Sequence, residues 1–205
     1  MGYYTYRIFK DISLDRLRQK IEANLALYEP GTVGPQISAK LYEGHGCSAM
    51  LLGYLRHEEA VFMPIGYQFG CIWMDVRYQD GDWWDLTIYE GTEHRVSHDV
   101  NPWAHEDRYE YNQKQIDFRI RRVCEIWPGH ATKIERYLVP WRVPSSKLGR
   151  TRFVRREGKA YEADECGYGN AGQINDFVQA FGIGNSSRSV TIGPIANHGH
   201  EPEPG

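Results

Sequence analysis

The sequence predicts an α+β domain: an antiparallel sheet, a meander that includes a hairpin at about 71–98, packed by two or three helices. Two observations predict it. Residues 71–98 alternate apolar and polar side chains around turn-forming residues, as a sheet with one buried face does. Three other stretches repeat their apolar residues at three- and four-residue steps, as helices packed on a core do.

Each element follows in order. Residues 3–9 are rich in Tyr, Ile and Phe and read as a strand. Ser13 suits a helix N-cap, and Leu14, Leu17, Ile21, Leu25 and Tyr28 form one stripe that Pro30-Gly31 ends. Residues 36–42 read as a strand, residues 43–46 as a turn, and residues 47–55 as a second strand with little alternation, hence central. Residues 60–74 are the most apolar stretch, but Pro64, Gly66, Gln68 and Gly70 break it, so it is too short to span a bilayer. After the hairpin, Glu90-Gly91-Thr92 turns into a third strand at 93–98. Ile116, Ile120, Val123 and Trp127 define a helix over about 109–126. A short helix over 132–138 ends at Pro140, and residues 141–161 read as irregular or weakly extended. Asn170 with Gln173 resembles a variant capping box for a last helix with Ile174, Phe177, Val178 and Phe181 on its stripe. Gly182 suits the left-handed cap, with Ile183 as its hydrophobic contact. Residues 1–183 therefore form one domain. Residues 184–205, rich in Gly, Ser, Asn, His and Pro, read as a flexible tail.

The hairpin register has three candidates. A two-residue loop at Asp80-Gly81 would set Val76 against Asp85 and split the core face. A loop over residues 79–81 puts Gly81 at the bulge position and pairs Val76 with Trp84, Met74 with Leu86 and Ile72 with Ile88. This register is preferred. A loop over residues 80–82 keeps the same core face without that glycine, and it would set Arg77 opposite Asp85.

Composition narrows the classes. The net charge of −3 advertises neither nucleic acid nor membrane. The first residues hold no apolar run of signal-peptide kind, so the cytoplasm is expected. Four cysteines, Cys47, Cys71, Cys124 and Cys166, lack C-x-x-C spacing and read as free thiols. No cofactor motif is met. Aromatics make up 13% of the chain, which suits a core of large rings or a partner-binding surface.

Charge is segregated. Between Asp75 and Glu110 stand ten acids and three bases; between Arg142 and Lys159 stand seven bases and one acid. In the preferred register Asp75 faces Asp85, an unfavourable pairing that a divalent cation would relieve. Asp75, Asp85 and His98 are thus the candidate metal ligands, set against the plainer reading that Arg77 neutralises the pair. His94 and His98 on one strand would lie about 13 Å apart, too far for one zinc. Arg150, Arg152, Arg155 and Arg156, with Phe153 among them and Trp141 and Tyr161 flanking, suit nucleic acid; the plainer reading is a solvated loop that offsets the acidic hairpin. Gly44-His45-Gly46-Cys47 suggests a weak Cys-His nucleophile, and Gly167-Tyr168-Gly169-Asn170 an anion-binding turn, although a helix cap explains the latter. His198 and His200 lie in the tail.

Three functional readings follow. The leading one is a non-catalytic intracellular binding protein that engages a protein partner, or a second copy of itself, through Trp83, Trp73 and Tyr89; an inhibitor or immunity-type protein is one concrete form. No complete catalytic set is evident, which leans against an enzyme. The alternatives are a metal-dependent hydrolase using Asp75 and Asp85, and nucleic-acid binding through residues 147–159.

Overall fold

A computed structural model describes residues 3–27, 39–53, 56–79, 83–100, 112–145, 152–170, 172–184 and 187–192. Tyr28, the loop 80–82, residues 101–111, Arg150 and the tail from 193 lie outside them, as does the side chain of Trp83. In chain order the elements are β1 (Tyr3–Lys10), α1 (Leu14–Leu25), β2 (Ala39–Gly44), β3 (Cys47–Gly53), α2 (Arg56–Phe69), β4 (Ile72–Gln79), β5 (Trp83–Glu90) and β6 (Glu93–Asp99). Then come α3 (Gln113–Ile126), α4 (Ala131–Ile134), β7 (Arg142–Ser145), β8 (Arg152–Arg155), α5 (Gln173–Gln179) and β9 (Ser189–Ile192). The class is α+β: seven strands form one antiparallel sheet in the order β6-β5-β4-β1-β3-β2-β9.

Period-two alternation gives this sheet two faces, and helices lie on both. Ile8, Ala49, Met74, Val76, Trp84, Leu86, Ile88 and Val96 point one way, into a core completed by Ile116, Ile120 and Val123 of α3 and by Ile174, Phe177 and Val178 of α5. Phe9, Leu41, Met50, Leu52 and Trp73 point the other way, against Leu14, Leu17 and Ile21 of α1 and Phe62 and Ile65 of α2. α1 starts as its sequence requires, with the Ser13 hydroxyl accepting from the Arg16 amide at 3.3 Å. Its buried stripe is the one the spacing indicates.

Four differences from the sequence reading have physical causes. The broken apolar stretch is α2, which carries Pro64 inside it. The glycine at 66 is no helix stop; a Cβ there would lie 2.6 Å from the Trp73 ring, so its absence lets α2 lie close over that indole. The hairpin takes the 80–82 loop register, with Tyr78 opposite Trp84, Val76 opposite Leu86 and Met74 opposite Ile88. Both registers bury the same face; only this one sets Arg77 against Asp85, so charge pairing outweighs a glycine at the bulge. The segment 141–161 includes the two-stranded β7–β8 hairpin. The expectation of a tail from 184 does not extend over β9, which pairs with β2 at the sheet edge and half-buries Val190 and Ile192.

The last helix departs at its start and agrees at its end. Asn170 Oδ1 accepts from the Gly172 amide at 2.8 Å, a local Asx turn. Gln173 opens α5 and instead accepts from Trp141 Nε1 at 2.8 Å. At the other end Gly182, at φ +77°, donates to Gln179 O and Ile183 donates to Val178 O, the paired bonds of a Schellman motif.

Candidate functional site

Over β4, β5 and β6, the face opposite the α3–α5 core carries charged and hydroxyl residues beside the aromatic pair Trp73 and Tyr89. Arg7 on β1 is opposite Asp75 on β4 and meets it with two bonds, at 2.7 and 2.8 Å. Its third nitrogen donates to Phe62 O at 2.8 Å, and its guanidinium lies 4.6 Å from the centre of the Trp73 ring. The pair is well buried, with side-chain exposures of 5% and 13%. One strand further on, Arg77 is opposite Asp85 and pairs with it at 2.8 Å. Asp85 is buried while the Arg77 side chain is 42% exposed. Burial pushes the Asp85 carboxyl up, against the opposing pull of Arg77. The two pairs form a ladder of alternating charge across β1, β4 and β5.

Beyond that ladder lies a row of hydroxyls. Thr87 Oγ1 is 3.5 Å from Arg77 Nη2 and 3.1 Å from Ser97 Oγ. Ser97 Oγ in turn is 2.8 Å from His94 Nε2. A β-bulge makes the last contact possible. Ile88 is opposite Val96 but Tyr89 is opposite His94, so Arg95 is an extra residue in β6. Without it, positions 94 and 97 would face opposite sides of the sheet.

An aromatic stack borders the hydroxyls. The Trp73 and Tyr89 rings lie parallel, 4.2 Å apart, and Tyr67 meets Trp73 edge-on at 5.7 Å. Trp73 is fully buried and its Nε1–H donates to Gly91 O at 3.0 Å. Tyr89 is half-buried and meets the exposed His94 ring edge-on. Burial, with Asp75 adding to it, pushes the Tyr89 phenol up.

The residues singled out from sequence are therefore distributed as follows. Asp75 and Asp85 share one face, but in separate arginine pairs rather than opposite each other. His98 lies on the other face, opposite Leu86; it is 2% exposed, its ring donates to Leu138 O, and burial pulls its pKa down to about 4. The three do not converge. Among the described residues no group of three or more His, Cys, Asp or Glu side chains gathers as a metal donor set. His94 and His98 are on opposite faces because of the bulge. Of the proposed anchors, Trp73 is core and supports Tyr89 from beneath; the register places Trp83, opposite Gln79, on the face of Asp85 and Thr87.

The basic segment packs inward in part. Arg155 Nε donates to Tyr168 O and Arg156 Nε to Pro140 O, each at 3.1 Å, while Lys159 reaches Asp164 O. Arg155 and Arg156 thus reach the backbone at Tyr168 and Pro140; the side chain of Arg152, like Arg150, lies outside the described residues. The Gly167–Asn170 turn is the seat for Arg155, since a Cβ at Gly169 would lie 2.3 Å from its Nε. The Cys47 thiol is buried, directed at Phe181 O, and pushed up to about 12 by that burial, which removes the Cys-His nucleophile. All four cysteines are free thiols. Part of the acidic excess of the hairpin is paired inside the chain: Arg7 and Arg77 take Asp75 and Asp85, and Arg95 takes Glu90 and Glu93.

Two concave regions lie elsewhere. One, of about 570 Å³, is lined by Glu43, His45, Glu165, Gln179 and Arg188 among others. The second, of about 320 Å³, shares Glu165 and Gln179 with it and adds Tyr137, Tyr161, Asp164 and Asp176. Asp164 there accepts from the Tyr137 hydroxyl and the Tyr161 amide, and Asp176 accepts from the Glu165 and Cys166 amides, so both carboxylates brace the loop. Gly44 and His45 of the Gly44–Cys47 turn line the larger one.

Among the described residues no helix is long and apolar enough to cross a membrane. Compared with family models, with curated proteins and with solved structures, the chain matches none.

Proposed function

We propose that this protein is a cytoplasmic protein-binding module of the inhibitor or immunity type, whose partner docks on the polar face of β4–β6. The observation that carries the proposal is the support under Tyr89 and His94. Tyr89 is stacked on a buried indole that is itself hydrogen-bonded, and His94 leans on Tyr89. Aromatic side chains already held in place lose little freedom on binding. Aromatics and arginine are also the residue types that dominate protein interfaces. Arg77, fixed by Asp85, adds a charge of set position.

The test is recovery of partners on tagged protein, comparing the wild type with Tyr89→Ala and Trp83→Ala. One stoichiometric protein held by the wild type and lost from both variants supports the proposal. Equal recovery by the variants, or no partner at all, counts against it. Light scattering on the purified chain reads the second-copy case: a dimer that Tyr89→Ala dissociates would make the partner another copy of this chain.

A further inference from the structure

We propose that Ser97 is a nucleophile and His94 its general base, a site that takes up the acyl group of small activated esters. The inference goes beyond partner binding; it shares the Tyr89 and Arg77 supports with that reading and adds the Ser97–His94 contact and the bulge that makes it. Ser97 Oγ is 2.8 Å from His94 Nε2, within reach for proton transfer, and both residues are exposed. A serine hydroxyl is a weak nucleophile until a base at this distance accepts its proton.

The pairing is not an accident of neighbouring positions on a strand. Residues three apart on a regular strand point to opposite sides. The extra residue Arg95 reverses that, bringing the imidazole to the side of the hydroxyl. A bulge interrupts ladder pairing; bulges are frequent at sheet edges, where β6 lies, and beside functional sites, where they re-aim a side chain. The imidazole is further oriented by the Tyr89 ring, which stacks on Trp73. On the other side Thr87 Oγ1 is 3.1 Å from Ser97 Oγ and 3.5 Å from Arg77 Nη2. This row ends in a guanidinium fixed by Asp85, a positive charge of the kind that stabilises an oxyanion.

The step balances without a cofactor. Ser97 Oγ attacks the ester carbonyl carbon as its proton passes to His94 Nε2. The carbon–oxygen bond to the alcohol breaks, and the alcohol leaves with that proton. Water, deprotonated by His94, then attacks the acyl–Ser97 ester; the acid is released and Oγ regains its proton.

The probe is p-nitrophenyl acetate, read both as nitrophenolate release and by peptide mass spectrometry. Release by the wild type should exceed that by Ser97→Ala and by His94→Gln roughly 10²-fold, the usual scale of a positioned base. The acetyl group should be found on Ser97 when the reaction is quenched early. The chain has 8 histidines, so imidazole background is the competing source. Release that is unchanged in Ser97→Ala, or acetyl groups confined to histidines and lysines, overturns the proposal, as does no release above the uncatalysed rate. Thermal melting of each variant separates loss of chemistry from loss of fold; should Ser97→Ala melt early, Ser97→Cys, which keeps a nucleophile beside His94, must be acetylated at position 97. Partner recovery by Ser97→Ala reads the binding proposal independently, so the two can fail separately.

Discussion

The two sides of β4–β6 are made from adjacent residues of the same strands, yet they hold together by different physics. Toward α3 and α5, Met74, Val76, Leu86, Ile88 and Val96 bury hydrocarbon, and the stabilisation is non-directional, growing with the area removed from water. Toward the other side, Arg7, Asp75, Arg77, Asp85 and Thr87 bury charge and hydroxyl, and each needs a particular partner at a particular distance. An apolar face tolerates substitutions of similar volume; an ion-paired face does not tolerate loss of one member. Removing charges from water also carries a penalty that hydrocarbon does not meet. The polar side is thus held by specific, directional pairs.

That contrast can be broken or sharpened by substitution. The largest effect is expected at Arg7. Arg7→Met leaves Asp75 buried with no cation and should lower stability by about 3–5 kcal/mol, read by urea unfolding. Arg7→Lys should recover only part of this, because one ammonium cannot replace both bonds to Asp75 and the bond to Phe62 O. On the opposite side Leu86→Ala should cost about 2–5 kcal/mol, whereas Leu86→Met should cost under about 1.5. A small effect of Leu86→Ala would mean that the core face is not packed as described.

The next effect is a pH dependence carried by His98. Its folded pKa lies at about 4 and its ordinary value at 6.5. Between these values the unfolded chain takes up a proton that the folded chain refuses. Stability should therefore be unaffected by this residue above the ordinary value, fall as pH drops through the window, and level off below about 4. The full loss from His98 is about 3 kcal/mol. Unfolding across a pH series should show this component in the wild type and lose it in His98→Gln. A smaller effect is expected for Arg77→Leu, about 1–2 kcal/mol, since Arg77 is partly exposed and solvent screens the pair.

What the sequence made legible was whatever rests on periodicity. The strand at β1, the α1 stripe, the meander and the α5 stripe all follow from spacing, and the Gly182 cap from residue type. Features decided by long-range contact were hidden. Pro64 and Gly66 look like breaks in a chain read alone; both lie inside α2, and the glycine fits because Trp73 lies close against it. The two registers with three-residue loops share one core face, so hydrophobic pattern cannot choose between them. The choice falls to the Arg77–Asp85 pair. The candidate site was visible in its members and not in its arrangement. Arg7 gave no local sign of reaching Asp75, 68 residues away. The bulge at Arg95, which separates His94 from His98 and joins it to Ser97, follows from pairing with β5 and leaves no mark in residues 93–99. The Arg77–Asp85 pairing, by contrast, was one of the stated alternatives.

Docking on the polar face is read most directly by amide hydrogen exchange on the chain with and without the partner recovered with it. Slowed exchange in β6 and along the exposed parts of β5, with α3 unchanged, is the expected result. Slowed exchange confined to α3 or α5, with β5 and β6 exchanging as in the isolated chain, would contradict it.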